Sequence, residues 1–242
     1  MDCSEVAVAT MTWARDAAEE RLLRESLPVL ATFGVPVFVT DGGSGEAFTR
    51  FLRSLPGFNV CEPEERGPWM QAGRSLRAAH ASGRRFILYT ESDKADFFRA
   101  WLREFVSEAP GGDEVGVVLA SRSAESFATF PEFQRRTEEA INRCCAEVVG
   151  RDFDFSYGPF LLNRRLVPGL DAAPTDLGWG WRTYAFGVAH RLGYRVECVV
   201  GDLPCPPGQR EDDPRERLYR MRQLSQGIEG IVRSAAAELN YR

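Results

Sequence analysis

The sequence predicts an α/β fold in which a mostly parallel central sheet is flanked by helices. Short apolar segments rich in β-forming residues alternate with amphipathic segments of helical period, and this alternation is typical of parallel sheets with right-handed crossovers. No internal repeat, low-complexity tract or interdomain linker interrupts the pattern. The length of 242 residues suits one large domain of this class.

The predicted strands share short apolar runs bounded by turn residues. They cover residues 5–10, 35–40, 58–62, 86–89, 115–119, 155–165 and 195–200. The run at 86–89 is too short for a helix and has no polar alternation, so we expect a strand that is buried on both faces.

The predicted helices follow the strands and begin at recognisable capping residues. Asp16 and Glu19 have capping-box spacing, and Asp213 precedes a proline at the first position of the last helix. We predict a loop over 67–73 before the third helix. The helices are expected near residues 16–27, 48–55, 76–79, 93–109, 131–150 and 182–192, and from 213 onward.

Composition restricts the possible partners. Thirty-five acidic and 30 basic residues are interspersed, so the chain lacks the basic stripe of a nucleic-acid binder. The amino terminus has no basic region before an apolar segment, and no apolar run reaches the length of a membrane span, so we expect a cytoplasmic protein. The six cysteines have no paired CxxC spacing, and we expect reduced thiols without a zinc site.

Two carboxylates follow the strand at 86–89. Glu91 and Asp93 lie just past its carboxyl end, where open α/β sheets bind ligands. Two such groups suit a hard divalent cation that is shared with phosphate oxygens. The alternative is structural, because Asp93 also precedes a helical pattern and has the position of an N-cap.

Other strand ends supply further candidate groups. The segment from Thr10 to Arg15 follows the first strand, and Asp41 follows the second. Asp41 has the chemistry to bond a base or ribose, although an aspartate before glycine is equally typical of a turn. Trp179 and Trp181 lie among glycines, and we expect exposed rings that form a stacking wall.

These features resemble the GT-A glycosyltransferases, especially the family 2-like enzymes that use nucleotide-diphospho-sugars. The residues that carry the resemblance are Asp41, the run Glu91-Ser92-Asp93 in the place of a DxD motif, and the Gly178 to Trp181 loop followed by residues 190–196. A looser likeness is to the retaining enzyme mannosylglycerate synthase. The resemblance covers most of the chain and implies a nucleotide-binding half, residues 1–121, and an acceptor-side half, residues 122–242.

The resemblance implies a sugar transfer assisted by Mn²⁺ or Mg²⁺. Asp93 would bind the metal on the diphosphate, Glu91 would contact the ribose or the metal shell, and Arg66 or Arg74 would assist at the phosphates. Thr10, Asp41, Trp179 and Trp181 complete the implied donor site. The acceptor and the oligomeric state are not specified by the sequence.

Two departures from the family pattern affect the chemistry. Arg182 and Thr183 stand where the family has an acidic pair, so Asp176 is the nearest candidate base, unless the mechanism is a retaining one that needs none. No histidine occurs in the later loop, where Asp202 is an available metal ligand. Two alternatives follow: a degenerate transferase that only binds nucleotide-sugars, and a sugar-phosphate nucleotidylyltransferase. A nucleotidylyltransferase would need a glycine-rich, basic phosphate loop after the first strand. This alternative is disfavoured because residues 10–15 contain no glycine.

Overall fold

The structure is a computed structural model that describes residues 1–62, 67–210 and 212–238. Its strands are β1 (Val6–Thr12), β2 (Val37–Asp41), β3 (Phe58–Cys61), β4 (Phe86–Tyr89), β5 (Val115–Arg122), β6 (Phe160–Asn163) and β7 (Arg195–Gly201). Its α-helices are α1 (Ala17–Ala31), α2 (Glu46–Ser54), α3 (Pro68–Ala81), α4 (Ala95–Ala100), α5 (Leu102–Glu108), α6 (Ala124–Ala128), α7 (Glu132–Val149), α8 (Val167–Leu170), α9 (Trp181–Arg191) and α10 (Pro214–Ala236).

The chain forms two compact units. The first comprises Met1–Gly111 and Pro159–Val167, and the second comprises Gly112–Gly158 and Pro168–Arg242. The two functional halves expected from the sequence, 1–121 and 122–242, stay a prediction. The predicted fold class, an α/β fold with a mostly parallel sheet, is confirmed.

In the first unit the strands lie in the order β3-β2-β1-β4-β6. The first four are parallel, with Val8 aligned to Val37 on one side and to Leu88 on the other. Strand β6 runs antiparallel to β4. All four residues of β4 are buried, as the continuous apolar run predicts. The carboxyl ends of β1, β2, β3 and β4 therefore meet at one edge of the sheet.

Helix α3 corrects one prediction. Residues 68–73, expected in a loop, form the first turns of this helix, which begins with Pro68 at its first position. The pyrrolidine ring fixes a helical φ and the missing N–H has no partner to lose there. Gly73 is tolerated because it lies against the Trp69 ring, where a Cβ would already be in tight contact. The glycine signals a close approach rather than a loop.

Two further predictions were wrong in their extent. The strand expected over 155–165 is reduced to β6, because Gly158 adopts φ 127° and Pro159 has no N–H for a ladder. The helix expected up to residue 109 breaks between α4 and α5 at Trp101, which has φ −137° and ψ −13°. The Trp101 ring is buried against Phe105, with ring centroids 5.3 Å apart.

In the second unit, β5 and β7 pair in parallel, with Arg122 aligned to Gly201. Helices α7, α9 and α10 pack on one another. Helix α10 begins where the sequence predicts, because the Asp213 side chain accepts the N–H of Glu216 at 2.8 Å. In α9, eight of the 11 residues are buried, as expected for a helix that is apolar on all sides.

Within the three described ranges, no helix is both long enough and apolar enough to cross a membrane.

Candidate functional site

The carboxyl-end edge of the first unit is fixed by hydrogen bonds between neighbouring strands. Thr10, a predicted donor-binding residue, is fully buried, and its Oγ1 donates to the carbonyl of Thr90 at 2.8 Å. Its own carbonyl accepts from Ser75 Oγ at 2.7 Å. These bonds hold the end of β1 against α3 and against the residue that follows β4. Its predicted contact with a donor stays a prediction.

Asp41 organises the turn that follows β2. Its carboxylate accepts from Thr12 Oγ1 at 2.8 Å, from the N–H of Gly43 at 3.0 Å, and from Ser44 through both N–H (2.6 Å) and Oγ (2.7 Å). The side chain therefore stabilises the turn after β2, which is the structural alternative that the sequence allowed. The contact of Asp41 with a base or ribose stays a prediction.

Glu91 and Asp93 come directly after the buried strand β4, at the same edge as Asp41. Helix α4 starts at Ala95, and its N-cap residue is Lys94, without a side-chain cap bond. Asp93 contributes only its backbone carbonyl, which accepts the N–H of Ala95 at 3.0 Å. The helix-cap explanation for the Asp93 carboxylate is therefore wrong in this structure.

One carboxylate oxygen of Asp93 is buried without satisfaction by the protein. Oδ1 has almost no exposed surface and no hydrogen-bond partner among the described residues. Buried carboxylate oxygens in native proteins are normally bonded or bound to a metal, because an uncompensated one costs stability. The atom therefore has the character of a ligand donor. In the described residues, no group of three or more His, Cys, Asp or Glu side chains is arranged to hold a metal ion.

Arg74 lies on α3 of the same unit and is half-buried. Burial raises the pKa of the Cys61 thiol, and the positive charge of Arg74 opposes this shift. Because Cys61 is the last residue of β3, the guanidinium lies near the carboxyl-end edge of the parallel strands. The other predicted phosphate-binding arginine, Arg66, lies outside the described residues.

The tryptophans of the second unit differ from each other. Trp179 is half-buried, and the Arg182 guanidinium lies 5.4 Å from its ring centroid. The backbone N–H of Trp179 donates to the side-chain oxygen of Gln226 at 3.1 Å. Trp181 is fully buried, so the expected exposed ring is wrong for this residue. Its burial follows from its position as the first residue of α9, which is enclosed on all sides.

Asp176, the candidate base, is paired with a cation on α10. Its carboxylate accepts from Arg233 Nη1 at 2.7 Å and from Nη2 at 3.4 Å, while its side chain remains 68% exposed. At the position of the family's acidic pair, the hydroxyl of Thr183 donates to the carbonyls of Gly180 and Gly227 at 2.9 and 2.7 Å. Thr183 thus joins α9 to α10.

Asp202, the candidate metal ligand, is bonded to a helix of its own unit. Ser126 Oγ donates to Asp202 Oδ1 at 2.6 Å and accepts the N–H of Leu203 at 2.8 Å. Thr129 Oγ1 accepts the N–H of Cys205 at 2.8 Å. These hydroxyls attach the segment after β7 to α6. Sequence reasoning missed them, because isolated serines and threonines carry no spacing that indicates such bonds.

A buried ionic cluster in the second unit was also missed. Arg122, the last residue of β5, donates from Nη2 to Glu138 at 2.7 Å and from Nε to Asp154 at 2.6 Å. The rings of Phe127 and Phe130 lie 4.6 and 4.4 Å from its guanidinium carbon. The available signal was an arginine that ends a buried apolar strand, since such a charge requires buried acidic partners.

The strand order and the parallel pairing of the first unit define the class of architecture. The chain has a GT-A-like fold, which confirms the fold expected from the resemblance. No protein-family model matches the sequence, and no curated protein sequence matches it.

The solved structures that share this fold include glucosyl-3-phosphoglycerate synthase from Mycobacterium tuberculosis. Its complex with Mn²⁺, UDP and glucosyl-3-phosphoglycerate aligns with a TM-score of 0.62 and 16% identity over 94% of this chain and 80% of that one. Its complex with Mn²⁺, UDP-glucose and phosphoglyceric acid gives 0.64 and 17% over 96% and 80%. A structure described as a mycobacterial protein gives 0.68 and 17% over 98% and 80%.

Proposed function

We propose that the protein is a glycosyltransferase that moves a sugar from a nucleotide-diphospho-sugar donor to an acceptor. The observation that carries the proposal is the buried Oδ1 of Asp93, which lacks a hydrogen-bond partner in the described residues and follows the strand after which GT-A enzymes bind their donor. The shared fold supports it, because the structurally similar synthase is solved with UDP and with UDP-glucose. UDP-glucose is therefore the first donor to test.

The carboxylates of Glu91 and Asp93 have the chemistry to bind a divalent metal whose coordination is completed by phosphate oxygens of the donor. Mg²⁺ is typically held by one or two carboxylates together with substrate phosphates, rather than by a cage made of protein alone. The similar synthase is solved with both Mn²⁺ and Mg²⁺. When bound, such an ion would offset the negative charge that develops on the departing nucleoside diphosphate.

The other residues of this edge bind and orient the donor in our proposal. The turn around Asp41 fixes the backbone after β2, and four hydrogen bonds to its carboxylate make that backbone rigid. Arg74 adds positive charge near the ends of the parallel strands, where a diphosphate would lie. Charged and hydrogen-bonding groups that are already in place lower the activation barrier of the transfer, because they need no reorganisation during the reaction.

The roles of Asp176, Trp179 and Asp202 stay predictions. Asp176 is proposed as the base that removes a proton from the acceptor, with Arg233 holding the carboxylate in one orientation. If Asp176 has no such role, the departing phosphate would take the proton in a retaining mechanism. The anomeric configuration of the product, read by NMR, distinguishes the two routes.

A nucleotide screen tests the proposal. The purified protein is heated with UDP, GDP, ADP and their sugars, each with and without Mn²⁺, and the release of nucleoside diphosphate is measured in the presence of acceptor hydroxyl compounds. We expect a metal-dependent rise in melting temperature with one nucleotide class, since a ligand that binds only the native state stabilises it. No stabilisation by any nucleotide, with or without metal, would contradict the proposal.

A second candidate is a protein that binds the donor without turning it over. It is favoured by one observation: Thr183 stands in the place of an acidic residue, and its hydroxyl is used to join α9 to α10. Metal-dependent binding of a nucleotide-sugar without either hydrolysis or transfer would support this candidate. Slow hydrolysis of the bound donor would count against it.

A further inference from the structure

Helix α10 has two contrasting faces. Gly227, Gly230 and Ser234 are buried on one face, where the glycines allow close contact with α9 and α7. On the other face Leu218 and Val232 are 59% and 58% exposed. A surface helix normally places charged or polar residues on its outer face. The outer face of α10 is therefore unusual for a helix that has only its own chain to contact.

Four apolar residues and one serine follow a heptad pattern over two heptads on the outer side of the helix, where Ile228 is half-buried and the other members are exposed. We define the seam as Leu218, Met221, Ser225, Ile228 and Val232. Successive members are spaced alternately by three and four residues, which is the a/d pattern of a coiled coil. At a rise of about 1.5 Å per residue, the seam extends for roughly 21 Å. Met221 is 45% exposed, in line with the two ends of the seam.

The charges beside the seam determine the direction in which it can pair with itself. Arg222 and Glu229 both occupy e positions, and Arg217 occupies a g position. In a parallel pair, g positions face e positions, so Arg222 would lie opposite Arg217, which pairs with Asp212 of its own chain, and would gain no acidic partner. In an antiparallel pair, e positions face each other, so Arg222 of each copy would face Glu229 of the other and join the ion pair that Glu229 forms with Arg233. The antiparallel arrangement therefore gives Arg222 an acidic partner in both copies, and the parallel arrangement gives it none.

We propose that the protein forms a homodimer through antiparallel pairing of the α10 seams. The two-fold axis passes close to Ser225. Leu218 of one copy therefore lies beside Val232 of the other copy at each end of the interface. A single interface of this kind is isologous and closes at two copies. The seam is short and belongs to the class of small interfaces, so the dimer is weak, with a dissociation constant on the order of micromolar.

Sedimentation velocity of the full chain tests this proposal. The wild type is measured from about 1 to 100 µM, a range that brackets micromolar affinity. We expect a concentration-dependent shift from monomer to dimer, and Met221→Glu should remove it at every concentration. Leu22→Glu on α1 is the matched control, because Leu22 is also an exposed apolar residue on a helix, at 40% exposure. Circular dichroism of each variant confirms that it is folded.

A charge exchange tests the direction of pairing. Arg222→Glu should weaken the dimer several-fold, because it places two acidic residues opposite each other in the antiparallel pair, and the exchange Arg222→Glu with Glu229→Arg should restore it. A wild type that stays monomeric at the highest concentration would overturn the proposal. A dimer that survives Met221→Glu, or that tightens in Arg222→Glu, would overturn it as well.

Discussion

Arg122 and Asp154 form a buried ion pair in the second unit, with 2.6 Å between Nε and Oδ2. The side chain of Arg122 is 1% exposed and that of Asp154 is 9% exposed. Glu138 accepts a further bond from the same guanidinium, and Asn142 donates to Asp154 at 3.1 Å. The pair therefore joins β5 to α7 and to the segment that follows it.

Removing the cation of this cluster should strongly destabilise the protein. Arg122→Met removes the cation that both buried carboxylates contact and leaves Glu138 only the more distant Arg220, at 3.9 Å. We expect a loss of about 3 to 5 kcal/mol in the free energy of unfolding. Urea denaturation at pH 7 measures it. The matched control is Arg136→Met, which removes an ion pair with Glu132 whose partners are 73% and 64% exposed. A control loss as large as that of Arg122→Met would contradict the structural role.

The same cluster predicts a dependence of stability on pH. Burial acts to raise the pKa of Asp154, but the charge and hydrogen bonds of Arg122 outweigh it and hold the pKa below its ordinary value of 3.8. Because the pKa of Asp154 is lower in the native state than in the unfolded state, the ionised carboxylate stabilises the native state at pH values above 3.8. This stabilisation is lost as the pH falls through the lowered native-state pKa. Urea denaturation between about pH 3 and 7 should therefore show a shallower acid loss in Asp154→Asn than in wild type. Equal slopes would contradict the assignment.

The contact between α9 and α10 depends on a glycine. A Cβ at Gly230 would overlap the carbonyl oxygen of Gly180, which is backbone and cannot turn away. We expect Gly230→Ala to cost about 1 to 3 kcal/mol, the usual cost of overpacking, although alanine is the better helix former. Gly208→Ala is the control, because a Cβ there meets nothing within 4 Å. Thermal unfolding compares the two, and equal midpoints would contradict the close approach.

The base role of Asp176 has a kinetic signature. If its carboxylate removes the acceptor proton, Asp176→Asn should lower kcat by roughly 100-fold or more, with little change in KM for the donor. Arg233→Gln removes the partner of Asp176 while keeping the carboxylate, and it should reduce kcat by much less. Steady-state assays with the donor identified by the screen measure both. An unchanged kcat in Asp176→Asn would remove the base and favour a retaining route.

The sequence was sufficient for the elements whose patterns are local. Strand β4 was predicted from a continuous apolar run, and α10 from Asp213 and the proline after it. The extent of β6 and the start of α3 were wrong, because Gly158 and Gly73 act through backbone angle and close packing. A glycine has the same sequence signal in a loop, a bulge and a helix contact, so only the surroundings distinguish them.

The candidate site was predicted less completely than the fold. Glu91 and Asp93 could be placed after a strand because the strand is recognisable, and the location of a carboxylate at a strand end is a local property. Their role in a site stays a prediction. The burial of Trp181 and the pairing of Asp176 with Arg233 depend on residues that are distant in sequence. The ionic cluster of Arg122 was missed for the same reason, since Glu138 and Asp154 belong to other segments.

The most direct measurement of the central claim is titration calorimetry of UDP with wild type and with Asp93→Asn, each with and without Mn²⁺. We predict that wild type binds UDP more tightly with Mn²⁺, and that Asp93→Asn loses this dependence with affinity lower by about tenfold or more. The unliganded variant should be at least as stable as wild type, because the buried Oδ1 lacks a hydrogen-bond partner in the described residues.

Asp96→Asn, which alters a nearby carboxylate that is 65% exposed, should bind like wild type. Equal, metal-dependent UDP affinity in Asp93→Asn and wild type would contradict the assignment of Asp93 to the donor site.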